Sequence, residues 1–269
     1  LMGKYVLSET KIPASLALNA ETWNVEFKQD KDDSSKLTYE VKLAIENTPT
    51  KVEISKRAVT GEDELAGATL EVLDQNGNKI DSWVSGNEPH KIAGLLRGTT
   101  YTLRETITPE DSSYARATDV QFTVNDDGSV TKVKMINKFV DMTKVDVGGK
   151  EVAGAKMVVT DMEGKVVDSW TSTDEAHKIK NLVEKQTYTL HEETAAEGYV
   201  KASDITFTVK GADEKGAKEN QHVEMTDKRV EISKVDVGGE EVKGAILKIV
   251  NTDGETVDTW TSGDSTHFV

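Results

Sequence analysis

Val140-Asp141-Met142-Thr143-Lys144 alternates apolar and polar residues, the pattern of a half-buried β-strand. In that phase Val140, Met142 and Lys144 point the same way, so a lysine closes the apolar face. The same arrangement returns at Val52, Ile54 and Lys56, and again at Val230, Ile232 and Lys234. A buried, unpartnered ammonium is costly, so a lysine in the core phase needs a partner or a reason to be neutral. The strand Tyr188-Thr189-Leu190-His191-Glu192 places Tyr188, Leu190 and Glu192 on one face. Val223-Glu224-Met225-Thr226-Asp227 does the same for Val223, Met225 and Asp227. A lysine, a glutamate and an aspartate thus each end an inward phase, and they recur as a set.

The recurrence is an internal repeat of about 90 residues, set by Lys56, Lys144 and Lys234, a size that suits a small β-domain. After each lysine come Gly67-Ala68, Gly154-Ala155 or Gly244-Ala245. Then follow the turns Asp74-Gln75-Asn76-Gly77, Asp161-Met162-Glu163-Gly164 and Asn251-Thr252-Asp253-Gly254. Trp83, Trp170 and Trp260 come next, each followed by a histidine, His90, His177 or His267. Tyr101 to Glu105 matches Tyr188 to Glu192, and the units close at Asn137 and Asp227. Short alternating runs separated by Gly, Asp and Asn turns read as all-β, a sandwich or barrel.

The repeat is out of phase with the chain. Tyr5 to Glu9 matches Tyr101 to Glu105, and Val41, Leu43, Ile45 and Asn47 match the last strand of a unit. Residues 1–50 therefore read as a back half, 51–139 and 140–229 as complete units, and 230–269 as a front half. Only two residues separate Asn137 from Val140 and Asp227 from Val230, which predicts a stiff, elongated rod of tandem sandwiches.

The bulk composition narrows the functional classes. A formal charge of −15 over 269 residues argues against nucleic acid or an anionic membrane surface as partner. There is no cysteine, hence no disulfide and no thiolate metal site. No apolar run approaches the ~18 residues of a membrane span. The recurring histidines come one per unit, with no set of converging ligands evident around them, and a hydrogen bond at a loop or strand edge is the expected role. The tryptophans are expected to cover the sandwich core, with a ligand platform as the alternative. Asn125-Asp126-Asp127-Gly128 lacks the spacing of a calcium loop and reads as a turn. No phosphate loop, nucleophile elbow or zincin motif is present. No cofactor is expected.

If the first and last strands of a unit are neighbours, the Lys144 amine can approach the carboxyl carbon of Asp227. Desolvation lowers a lysine pKa and raises that of a carboxylic acid, which favours a nucleophilic amine and a neutral acceptor. Glu192 is placed to move the proton. The product is an amide between side chains, with loss of water. In the first complete unit the set is Lys56, Glu105 and Asn137, and ammonia leaves. Each set reacts once, so this is self-modification and not enzyme turnover. The alternative is a buried cluster held by charge and hydrogen bonds alone, which adds little net stability.

The run Ile54-Ser55-Lys56, the Gly-Ala pairs, the Tyr-Thr-Leu-x-Glu strands and the closing Met-x-Asn/Asp at Asn137 and Asp227 resemble the Cna protein B-type domains. These are prealbumin-like β-sandwiches of Gram-positive surface adhesins and pilins. The resemblance implies isopeptide bonds Lys56–Asn137 and Lys144–Asp227, promoted by Glu105 and Glu192. Glu9 and Asn47 occupy the matching positions of the first partial unit and Lys234 that of the last, without the rest of their sets. Glu193 lies in the outward phase and is given no role. The implied protein is a cell-wall-anchored, extracellular structural stalk or spacer. A ligand-binding module that contacts host protein or glycan is the second reading. A polymerising pilin would carry a Tyr-Pro-Lys motif, and none is visible. Further partners would be a host or neighbouring-cell ligand bound by other parts of the protein, or a second copy pairing head to tail through the half units.

Overall fold

The computed structural model describes residues 3–17, 21–27, 43–109, 113–212 and 219–269. Contacts divide the chain into two compact units, Leu1–Pro109 with Ala117–Asn137, and Glu110–Arg116 with Lys138–Val269. Lys56, Glu105 and Asn137 fall in the first unit and Lys144, Glu192 and Asp227 in the second. Among the described residues the structure is built of strands and turns without a helix.

In the first unit, β1 (Gly3–Ser8) and β2 (Thr22–Phe27) form an antiparallel pair. The complete repeat follows as β3 (Lys51–Ala58), β4 (Thr69–Leu73), β5 (Lys79–Val84), β6 (His90–Ala93), β7 (Thr100–Ile107), β8 (Val120–Thr123) and β9 (Thr131–Asn137). They make a three-stranded sheet in the order β6-β3-β9 and a four-stranded sheet in the order β5-β4-β7-β8. The first and last strands, β3 and β9, are parallel neighbours, with Lys56 opposite Met135 and Ala58 opposite Asn137.

The second complete repeat runs through β10 (Val140–Asp146), β11 (Lys156–Asp161), β12 (Val166–Thr171), β13 (His177–Lys178), β14 (Thr187–Thr194), β15 (Ile205–Thr208) and β16 (Gln221–Asp227). Its sheets repeat the same orders, β13-β10-β16 and β12-β11-β14-β15, again with a parallel first and last pair. The unit ends with β17 (Glu231–Ile232), β18 (Ile246–Val250), β19 (Thr256–Thr261) and β20 (His267–Phe268).

Alternation explains the cores. Strand β3 buries Val52, Ile54 and Lys56, and the facing sheet buries Leu70, Val72, Tyr101 and Leu103. With Val133, Met135 and Phe122 these apolar side chains form one cluster. In the second repeat Val140, Met142, Met157, Val159, Tyr188, Leu190, Val223 and Met225 do the same. The hairpins β4–β5 and β11–β12 are closed by turns that the sequence marks plainly. Asp74 and Asp161 accept backbone N–H bonds two and four residues on. Gly77 and Gly164 supply the positive φ, 80° in each, that the turn requires.

The partial repeats depart from the alternation. Tyr5 and Leu7, expected inward, are 41% and 44% exposed. Strand β1 pairs only with β2, and among the described residues no second sheet covers that face. Leu43 and Ile45 lie in a segment without strand pairing, and Val41 falls outside the described residues. Near the other end, β17 is reduced to Glu231–Ile232 and Lys234 is half-buried rather than core. In the complete repeats a parallel last strand flanks the lysine strand, whereas β17 pairs with β20 alone.

Candidate functional site

Lys144 stands near the end of β10, between the parallel strand β16 and the facing sheet. Residue alternation on β10 and β16, with Lys144 opposite Met225, directs Lys144 and Asp227 into the same interior. Residue alternation on β14 sends Glu192 there from the other sheet, opposite Met157 of β11. All three are buried: Lys144 is 1% exposed and Glu192 and Asp227 are fully covered. The Lys144 ammonium contacts Asp227 Oδ1 and lies 3.2 Å from Glu192 Oε1. Glu192 Oε2 accepts the N–H of Ala202 at 2.6 Å. Burial pushes the Asp227 carboxyl above the ordinary aspartate range, although Lys144 pulls it back and Glu192 adds to the rise.

The first complete repeat rebuilds the arrangement with an amide as acceptor. Lys56 Nζ is 2.9 Å from Glu105 Oε1. Asn137 Nδ2 donates to Glu105 Oε2 at 2.9 Å, and the Ala117 N–H donates to the same oxygen at 2.8 Å. Lys56, Glu105 and Asn137 are 1%, 2% and 0% exposed. One carboxylate oxygen faces the amine. The other faces the group that would leave and is steadied by a backbone N–H. Chemically this is an amine, a proton carrier and a carbonyl acceptor held together in a water-poor interior.

The partial repeats carry fragments of the set. Asn47 Nδ2 donates to Glu9 Oε2 at 2.8 Å, so these matching positions meet as Asn137 and Glu105 do. Lys234 meets neither a glutamate nor an acceptor of the set. Glu193 points outward and pairs with Lys156 at the surface, consistent with its exclusion.

Each recurring histidine hydrogen-bonds a recurring aspartate on the preceding strand, which belongs to a different sheet: His90 to Asp81 at 2.8 Å, His177 to Asp168 at 2.9 Å, His267 to Asp258 at 2.6 Å. Each ring also stacks on the tryptophan, with centroids 3.9–4.1 Å apart. At Asp168 burial works against ionisation, but the His177 and Lys180 hydrogen bonds prevail and hold the carboxyl below its usual range. Trp83 and Trp170 pack against the two cores. Among the described residues no cluster of His, Asp and Glu could hold a metal ion.

Three features escaped the strand pattern. Lys138, just past the end of β9, is 2% exposed and donates to the Gly211 carbonyl at 3.1 Å. The backbone amides of Ala117 and Ala202 anchor the glutamates. Ser85 and Ser172 bridge two buried backbone groups each. The serines have a sequence signal, since each lies two residues after a recurring tryptophan. The buried lysine and the amides have none, because they sit in loops where alternation no longer applies.

Comparison with known proteins matches residues 50–139 and 138–224 to the SpaA prealbumin-like fold domain, in two consecutive copies. The chain belongs to the SpaA family of prealbumin-like domains. SpaA-type domains are structural modules and not enzymes. Among solved structures, the Bacillus anthracis TIE protein is 21% identical, with a TM-score of 0.35, over 84% of this chain and 42% of its own. This chain therefore spans less than half of that protein. The shaft pilin SpaA of Lactobacillus rhamnosus GG is 14% identical over 68% of this chain and 98% of its own, with a TM-score of 0.30. A Streptococcal ancillary pilin is 18% identical over 84% of this chain and 75% of its own, with a TM-score of 0.32. No curated protein sequence matches the chain.

Proposed function

We propose that this chain is a spacer segment of a Gram-positive surface stalk, pilus or adhesin, and that its two complete repeats stiffen themselves with internal amide bonds. The observation that carries the reading is the same buried set in both repeats, an amine, a glutamate and an acceptor on three different strands. The repeats are read as 51–139 and 140–229, flanked by a back half at 1–50 and a front half at 230–269. An extracellular, wall-attached location is part of this reading.

Glu192 takes a proton from the Lys144 ammonium, and the freed amine attacks the Asp227 carboxyl carbon. The carboxyl enters protonated, in keeping with its burial. Glu192 returns that proton to the departing hydroxyl and takes the second nitrogen proton, so a C–O bond is exchanged for a C–N bond, one water leaves and Glu192 ends protonated. In the first repeat Glu105 takes a proton from the Lys56 ammonium, and the freed amine attacks the Asn137 amide carbon. Glu105 returns that proton to the departing Nδ2 and takes the second nitrogen proton as ammonia leaves, so it ends protonated. Both reactions remove a charged amine from a dry interior, where a lone ion pair contributes little.

The mechanical consequence follows from topology. The parallel first and last strands let the chain enter a repeat at one end and leave at the other. A bond from Lys144 to Asp227 carries tension directly between them, and residues 145–226 are bypassed. The bond also restricts the unfolded chain as a disulfide does, worth about 4–5 kcal/mol for a loop of this size. Unlike a disulfide, it survives reducing conditions.

Tryptic digestion of the denatured protein tests the chemistry. We expect branched peptides joining Lys56 to Asn137 and Lys144 to Asp227, with no cleavage after either lysine. Recovery of linear peptides ending at Lys56 and Lys144 would refute it.

A further inference from the structure

Two short linkers precede a new lysine strand, Lys138-Phe139 before Val140 and Lys228-Arg229 before Val230. Around each linker the repeat places the same three positions: Tyr114, Phe139 and Lys178 at the first, Tyr199, Arg229 and Phe268 at the second. All six residues belong to the second compact unit. Lys178 and Phe268 share a register, each one residue after the stacked histidine and opposite Asp141 or Glu231.

At the first linker the Tyr114 ring meets Phe139 edge-on, with centroids 6.1 Å apart and planes at 67°. The Lys178 ammonium sits 4.4 Å from the Phe139 centroid. At the second, the Arg229 guanidinium carbon lies 4.6 Å from the Tyr199 centroid and 5.1 Å from that of Phe268. Arg229 also reaches Asp146 at 3.2 Å. Gly198, at φ +79°, takes the left-handed conformation that leads the loop into Tyr199. Both stacks hold two rings and one cation, with the linker residue in the middle. Only the place of the cation differs, on the flank in the first and at the centre in the second.

We propose that these three positions form a cation–π clamp that immobilises the linker residue and with it the start of the following lysine strand. The requirement is a cation against an aromatic face at the linker position, whichever partner supplies it. Two cations side by side would repel, and three neutral rings would lose the charge term. The clamp is a non-covalent brace at the joint and does not depend on the internal amides.

Hydrogen exchange of the intact chain, read on the peptide over residues 228–236, tests it, with β11 and β14 reporting the fold. Phe268→Ala should raise exchange in that peptide about five-fold while β11 and β14 stay protected. Phe268→Lys alone should raise it further. Adding Arg229→Phe to Phe268→Lys transplants the first arrangement and should restore protection. The clamp is overturned if Phe268→Ala leaves the linker unchanged, if the double variant exchanges as fast as Phe268→Lys, or if the loss spreads through β11 and β14.

Discussion

Lys144, Glu192 and Asp227 meet where the interior gives an ion little solvation, and that shared burial drives the proposed chemistry. Asp227 is an informative residue, because its replacement by Asn converts one reaction into the other. Asp227→Asn should still cross-link, now releasing ammonia, and its product is the same molecule that the wild type yields by losing water. Intact masses of the two reacted proteins should therefore coincide, whereas a mass difference would show one of them unreacted. The raised Asp227 carboxyl also gives a pH signature to an uncross-linked repeat. In Glu192→Ala the contribution of Glu192 is gone but burial, the largest cause of the rise, remains, so native Asp227 keeps its proton to a higher pH than the unfolded chain does. Between the ordinary aspartate range and the raised native value the native state binds more protons, so stability falls as pH rises through that window. Below the window it is level. Denaturant titration at a series of pH values should show this slope in Glu192→Ala and none from this group in the cross-linked wild type.

At the scale of the strand, the alternating runs make the inward lysine, glutamate and acceptor positions legible in the sequence. The period-two alternation at Val140, Met142 and Lys144 and at Tyr188, Leu190 and Glu192 is a local property, written in the sequence whatever the fold. The same rule failed at Tyr5, Leu7 and Lys234, because burial needs a facing sheet as well as a pattern. It was silent on Lys138 and on the Ala202 amide, which lie in loops. The His–Asp pairs join strands of different sheets, a closeness that spacing alone does not give. Ser172 shows how a small residue secures an element: its Oγ accepts the Ala155 N–H at 2.9 Å and donates to the Val152 carbonyl at 2.7 Å. Ser172→Ala leaves both groups buried without that partner and should cost about 1–3 kcal/mol in the second repeat. Thermal unfolding of a Glu192→Ala background, where no covalent tie masks the loss, would measure it, and an unchanged midpoint would deny the serine this role.

For the molecule as a whole, the proposed bonds decide how much chain can be drawn out under force. Lys144 and Asp227 are 83 positions apart. At roughly 3.5 Å per extended residue, one bond withholds about 290 Å of length. Single-molecule pulling should show no such release from the wild-type second repeat, and one added step of about that size in Glu192→Ala. Glu105→Ala should free the first repeat independently, since each set is complete within its own sandwich. The chemistry itself is read most directly by the intact mass of the fully denatured protein. We expect a mass below the sequence value by one ammonia plus one water, with Glu105→Ala regaining the ammonia and Glu192→Ala the water, after allowance for each substitution. A wild-type mass equal to the sum of its unmodified residues would contradict the amide bonds and leave two buried ion clusters in their place.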